Sequence, residues 1–212
     1  MNMNRTEIYS RAVEIACDMV LNEGRTIHLN RIAAVIGIDP AALEECIGDR
    51  NSFSAQVTVK LGAKIWAREG DIFGKVVESA QYKALNGAAQ IKELLRSSFL
   101  YSFRGHPDFW RWLYRFEQFI IKEKVAPELL GEYADQLAKF YPIFYEAFEK
   151  GCGDGSVRPE IHPEDYYNAV TQSLMNICVK FSTTPIFSTD TAEAGERQIN
   201  TIIDMAIHYL KR

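Results

Sequence analysis

Residues 25–53 read RTIHLNRIAAVIGIDPAALEECIGDRNSF, and this stretch decides the fold. Leu29, Ile32, Ala33 and Ile36 recur at the spacing of one helix face, and Gly37 follows as a stop. Asp39 and Pro40 then supply a cap and a first-turn proline for a second short helix that runs to Ile47. A helix, a glycine-containing turn and a second helix make the plan of a helix-turn-helix. The second helix carries Asp39, Glu44 and Glu45 and no Lys or Arg, whereas DNA binding draws much of its affinity from cations set against phosphates.

Upstream, Ile8, Ala12, Ile15, Ala16, Met19 and Val20 mark an amphipathic helix from Asn4 to Asn22, ended by Gly24. Downstream, Phe53, Val57, Leu61, Ile65 and Trp66 continue a pattern from Ser52 toward Phe73 with no proline, a helix of ~20 residues and ~30 Å. Asn86-Gly87 signals a turn before a helix with Ile91, Leu94, Leu95 and Phe99, which Gly105-His106-Pro107 ends. An aromatic-rich helix spans Asp108 to Lys124, another starts at Pro127 and runs to a stop at Gly151 to Gly155, and Pro163-Glu164-Asp165 opens the next. Beyond a polar loop containing Pro185, Ala192 to Leu210 forms the last helix. With no strand of alternating period and no repeat, the expectation is an all-α chain of about nine helices. Residues 1–50 form a three-helix helix-turn-helix head and residues 51–212 a helical-bundle body.

Composition narrows the classes further. Of 212 residues 47% are hydrophobic and 25% charged, with a formal charge of −4, so any nucleic-acid surface has to be local. Residues 1–60 hold six basic side chains against eight acidic ones, which makes the head itself net acidic. No apolar run reaches the ~18 residues of a membrane span, and MNMNRTEIYS lacks a secretory pattern, so no membrane partner is expected and the cytoplasm is the default compartment. Cys17, Cys46, Cys152 and Cys178 are scattered, without metal-ligand spacing, and read as small core residues with no cofactor or metal implied. No nucleophile-base pairing, phosphate loop or paired carboxylate stands out, which argues against an enzyme.

With this order laid out, the chain resembles the TetR family of transcriptional regulators. The likeness rests on Ala12 to Ala16, Glu23-Gly24, Ile32-Ala33, Gly37-Ile38-Asp39, Leu43, Ile47, Arg50 and Phe53, and more loosely on Gly151 to Pro159 before the final helices. The resemblance implies a homodimer, probed by a small molecule in the body, that binds operator DNA through the head. At positions where the family often carries Thr, Gly and Tyr, this chain has His28, Ala41 and Glu44.

The candidate DNA contacts are His28, Asn30, Arg31, Pro40, Ala41, Ala42, Glu44 and Arg50. Ala41 and Ala42 suit thymine methyl groups, Arg50 a phosphate or an ion pair with Asp49 or Glu45, and Asp39 an N-cap. In the body, Phe99, Phe103, Trp110, Tyr114, Phe119, Phe144, Tyr145 and Met175 are candidates to line a site for an apolar or aromatic effector, with the tyrosine hydroxyls orienting it; plain core packing is the competing reading. Tyr166, Val170, Leu174, Ile199, Ile203, Ile207 and Leu210 form wide stripes suited to a homodimer interface, with an intramolecular core as the alternative. A regulator, and specifically a repressor, is the expected function. The acidic head leaves open a second class, a ligand-binding or protein-interaction module that does not read DNA.

Overall fold

A computed structural model describes residues 3–23, 28–183 and 186–211. Gly24 as a helix stop, Arg25 and Pro185 lie outside the described residues. Twelve α-helical segments and no strand occur among the described residues, in two compact units: Met1–Trp66 with Ile120–Asp135, and Ala67–Phe119 with Gln136–Arg212. This grouping differs from a division at residue 50, because the helix from Arg50 to Glu78 carries head contacts to Leu61 and Ile65 and the segment 120–135 belongs with the head.

In the first unit, α1 (Arg5–Glu23), α2 (Leu29–Ile36), α3 (Pro40–Ile47) and the start of α4 (Arg50–Glu78) enclose one apolar core. Ala12, Ala16 and Cys17 of α1 meet Ile32 and Ala33 of α2, Leu43 and Ile47 of α3, and Phe53 and Val57 of α4. Local chemistry sets the helix limits. Gly37 sits at φ 83 in the left-handed region and its N–H donates to the Ala33 carbonyl at 2.8 Å, which ends α2. The Asp39 carboxylate accepts from the Ala41 N–H at 2.8 Å and Pro40 needs no partner for a missing donor, which starts α3. After Gly48, Asp49 accepts from the Ser52 N–H at 2.8 Å and from the Ser52 hydroxyl at 2.6 Å, and these bonds hold its carboxyl below the usual carboxylate range. At 29 residues α4 is about 44 Å long, longer than its apolar pattern indicated.

The segment that closes the first unit contains a 3₁₀ turn (Pro127–Leu130) and the beginning of α9 (Gly131–Leu137). Lys60 of α4 bridges Glu14 of α1 at 2.8 Å and Glu132 of α9 at 3.4 Å. Tyr9, Val13, Val59 and Lys60 face Leu129 and Glu132 across a groove of about 480 Å³.

The second unit holds the short α5 (Ala80–Lys83), then α6 (Gly87–Leu95), a π-helical turn (Arg96–Tyr101) and α7 (Ser102–Gly105) as one run, followed by α8 (Pro107–Lys122). It also holds α10 (Phe140–Asp154), α11 (Pro163–Ser182) and α12 (Ala192–Leu210). The single helix expected from Pro127 is broken around Ala138-Lys139, and the stop falls at Gly155, in the left-handed region at φ 77. Gly151 lies inside α10 because α6 crosses it there: a Cβ on Gly87 would come 2.1 Å from the Gly151 nitrogen. Ile91, Leu113, Leu174, Ile199, Ile203 and Leu210 are almost entirely buried and form the centre of this unit.

Candidate functional site

The head positions its candidate contacts on three elements. His28 precedes α2 with extended backbone and an exposed side chain that makes no capping bond, and Asn30, two residues on, is exposed. Arg31 is half-buried and engaged. Pro40, Ala41 and Ala42 are exposed on the first turn of α3, and Asp39 acts as its cap. Arg50 pairs with Glu44 at 2.6 Å, where an ion pair with Asp49 or Glu45 is the alternative to a phosphate contact, because the turn at Gly48 swings the start of α4 back beside α3. The two charges most relevant to a phosphate contact therefore neutralise each other.

Other basic groups of the head are also occupied. Arg5 donates to the Glu45 carbonyl at 3.0 Å and the Cys46 carbonyl at 3.4 Å, satisfying the C-terminal end of α3. Lys64 holds Glu14 and Asp18, each at 2.8 Å, and with Lys60 it locks α1 to α4. Partial burial pushes the Glu14 carboxyl up, but the two lysines outweigh it and hold the group below its ordinary value.

The body residues fall into two groups. Around the π-helical turn, Phe99 stacks on Trp110 at 5.9 Å, and Phe103 packs with Phe181 against the bare backbone of Gly195. The Cys178 thiol lies 3.9 Å from the Phe99 carbonyl, and Arg111 donates to the Ser182 carbonyl at 2.6 Å. The second group joins Phe144 to Tyr166 at 5.9 Å and Tyr167 at 5.1 Å. Phe119 and Met175 are half-buried. Tyr114 and Tyr145 are exposed, 43% and 40%, so their hydroxyls are not placed to orient a ligand held in an interior: α8 turns Trp110, Leu113 and Phe116 inward instead.

Polar atoms that sequence reasoning missed accompany the first group. Ser102, Trp110 and Ser182 are 4%, 1% and 3% exposed, yet the Ser102 hydroxyl, the Trp110 indole nitrogen and the Ser182 hydroxyl have no hydrogen-bond partner among the described residues. An unpaired buried polar group costs about 1–3 kcal/mol; the Tyr166 hydroxyl is likewise buried without a partner among the described residues. Sequence gave no signal for them, since a lone Ser on an apolar face is common.

The expected interface residues are mostly covered within one chain. Leu174, Ile199, Ile203, Ile207, Leu210 and Tyr166 are each 6% exposed or less, because α11 packs on α12. The intramolecular alternative accounts for them. Val170 remains half-buried on an outer groove of about 560 Å³ with Ala169, Ser173, Ile202, Met205 and Tyr209, where Met205 and Tyr209 are 62% and 58% exposed.

An all-helical chain with a capped helix-turn-helix, a long fourth helix and a helical body has the fold of TetR-family regulators. No family model matches the chain, and no curated protein matches it. Among solved structures, the fold aligns with a protein of Saccharomonospora viridis described as a transcriptional regulator in complex with choline, at TM-score 0.61 and 12% identity, covering 98% of this chain and 99% of that one. It aligns with a protein of Mesorhizobium loti described as a TetR-family transcriptional regulator at TM-score 0.57 and 11% identity over 100% of both chains. The ketosteroid transcriptional regulator KstR2 of Mycobacterium tuberculosis gives TM-score 0.55 and 11% identity, covering 100% of this chain and 97% of that one. Among the described residues no helix is long and apolar enough to cross a membrane.

Proposed function

We propose that the chain is a TetR-type transcriptional repressor, cytoplasmic and homodimeric, that docks α3 in the major groove of an operator and releases it on binding a small effector. The observation that carries this reading is the capped, outward α3 with small exposed residues on its first turn, set in a fold shared with regulators. Pairing of Glu44 with Arg50 and of Glu14 and Asp18 with Lys60 and Lys64 leaves the net acidic charge of the head in place, so the reading rests on the first turn of α3 rather than on free cations.

The effector site is the aromatic cluster at the π-helical turn. Phe99, Phe103 and Trp110 supply apolar surface, and the unpartnered Ser102 and Ser182 hydroxyls and the Trp110 N–H supply polar atoms for an apolar or aromatic molecule. Single π-helical turns inside helices recur at functional sites, and a neighbour solved with choline supports a small ligand. The dimer forms through the outer face of α11 and α12 at Val170, Ile202, Met205 and Tyr209.

Fluorescence polarisation against DNA from the chain's own upstream region, at ~50 mM and ~200 mM salt, tests the reading. Binding that weakens with salt is expected. No binding at the lower salt, where the phosphate attraction is strongest, overturns it in favour of a module that does not read DNA.

A further inference from the structure

In an eight-residue helix, two buried positions fix the direction of every other side chain. Leu43 and Ile47 are 0% and 6% exposed and anchor α3 in the head core. At about 100° per residue, Glu45 projects about 180° from their mean direction, whereas Glu44 projects about 80° to one side. Ala41 lies one turn before Glu45 on the same outward face and is exposed.

The two carboxylates also differ in what holds them. Glu44 is tied to Arg50 at 2.6 Å. The Glu45 carboxylate is exposed and has no ion pair among the described residues, while its backbone carbonyl is pinned by Arg5 at 3.0 Å. The helix is thus fastened to α1 at the position where its outermost side chain is free. Ala41 and Ala42 present only methyl groups, so nothing bulky keeps the N-terminal half of α3 from the groove floor.

A free carboxylate facing DNA is repelled by phosphates and by the acceptor atoms of purines. The major groove gives it one good partner, the N4 amino donor of cytosine. We infer that Glu45 is the specificity-determining residue of α3, accepting from cytosine N4 and demanding a C·G pair at one position of each half-site. The assignment rests on the DNA-binding reading above and names what that helix reads.

Selection from a randomised duplex library at ~50 mM salt, with full-length wild type, Glu45→Ala and Glu45→Gln, tests it. Wild-type sites are expected to show one C·G position preferred roughly fivefold to a hundredfold. Glu45→Ala keeps the rest of the site and loses that preference; Glu45→Gln, of nearly the same shape, moves it toward adenine, which a carboxamide bonds through N6 and N7. A wild-type site whose preferences are unchanged in both variants overturns the Glu45 assignment and leaves DNA binding standing. Wild type that retains no DNA overturns both.

Discussion

Replacing Glu44 by Gln removes one charge and keeps the shape of the side chain, so its effect on DNA binding follows from the Glu44–Arg50 pair. The two side chains are 52% and 71% exposed, and a surface pair of this kind contributes about 0.2–1 kcal/mol. For Arg50 to turn to a phosphate, that energy is lost in each half-site. Releasing it in Glu44→Gln tightens each half-site about 1.4- to 5-fold, and a two-headed operator complex about 2- to 30-fold. The freed guanidinium also displaces counterions that the neutralised pair does not, steepening the salt dependence by up to about 0.9 per half-site in log-log slope. Polarisation titrations between ~50 and ~200 mM salt read both quantities. In an Arg50→Ala background the same substitution should gain only the smaller benefit of one less repulsive charge. Unchanged affinity and slope in Glu44→Gln, or an equal gain without Arg50, would refute a gate built from this pair.

Gly87→Ala puts a methyl group 2.1 Å from the Gly151 nitrogen and 2.6 Å from the Ala147 carbonyl, both backbone, so a loss of about 2–3 kcal/mol and ~4–12 °C in Tm is expected. Gly153→Ala, with nothing within 4 Å, should instead hold stability or raise it by up to the ~1 kcal/mol of helix propensity; equal melting of the two variants counts against the crossing. Burial pushes the Cys17 thiol up to about 11 and the Cys178 thiol higher still, so a thiol reagent at pH ~8 should label no more than Cys46 and Cys152 before unfolding. Met205→Glu places a charge on the outer face of α12 and should convert a dimer to monomer by sedimentation at micromolar concentration, with helicity retained; a wild-type monomer removes the proposed interface. Asp154 is held below its ordinary value by the Ser156 hydroxyl and the Gly87 N–H, so its contribution is full above about pH 4 and is lost as pH falls through the folded value. Asp154→Asn should therefore melt lower than wild type at pH ~6 and lose less on acidification; parallel curves would exclude the bond to Gly87 as its source.

Elements whose limits depend on neighbouring residues were legible. α2 and α3 begin and end where Gly37, Asp39 and Pro40 place them, since caps act within one turn. Their sequence also held the direction of Glu45, because Leu43 and Ile47 are the only large apolar residues of α3. Features that depend on distant backbone were not legible. Gly151 reads as a stop until α6 is seen to cross it, whereas the break near Ala138 has a local cause that the apolar pattern passes over: Pro142 has no N–H for the Ala138 carbonyl and its ring crowds it. Periodicity marks Ile199, Ile203 and Leu210 for burial without saying whether the covering surface is α11 or a second chain. The same limit separates Trp110 from Tyr114, four residues apart on α8, one at 1% exposure and the other at 43%.

Residues 120–135 give the head a history as well as a structure. A ribosome completes α1 to α3 and the head half of α4 about 50 residues before this segment is made, a delay of about 3–10 seconds at ordinary elongation rates. Through that interval Val13 and Val59 stand across an open groove from a Leu129 that does not yet exist. For protein engineering, a fragment cut at Trp66 and fused elsewhere as a DNA-reading module lacks one side of its own unit, including the Glu132 partner of Lys60. A transplantable head is a two-piece object, and a chimera has to carry both pieces.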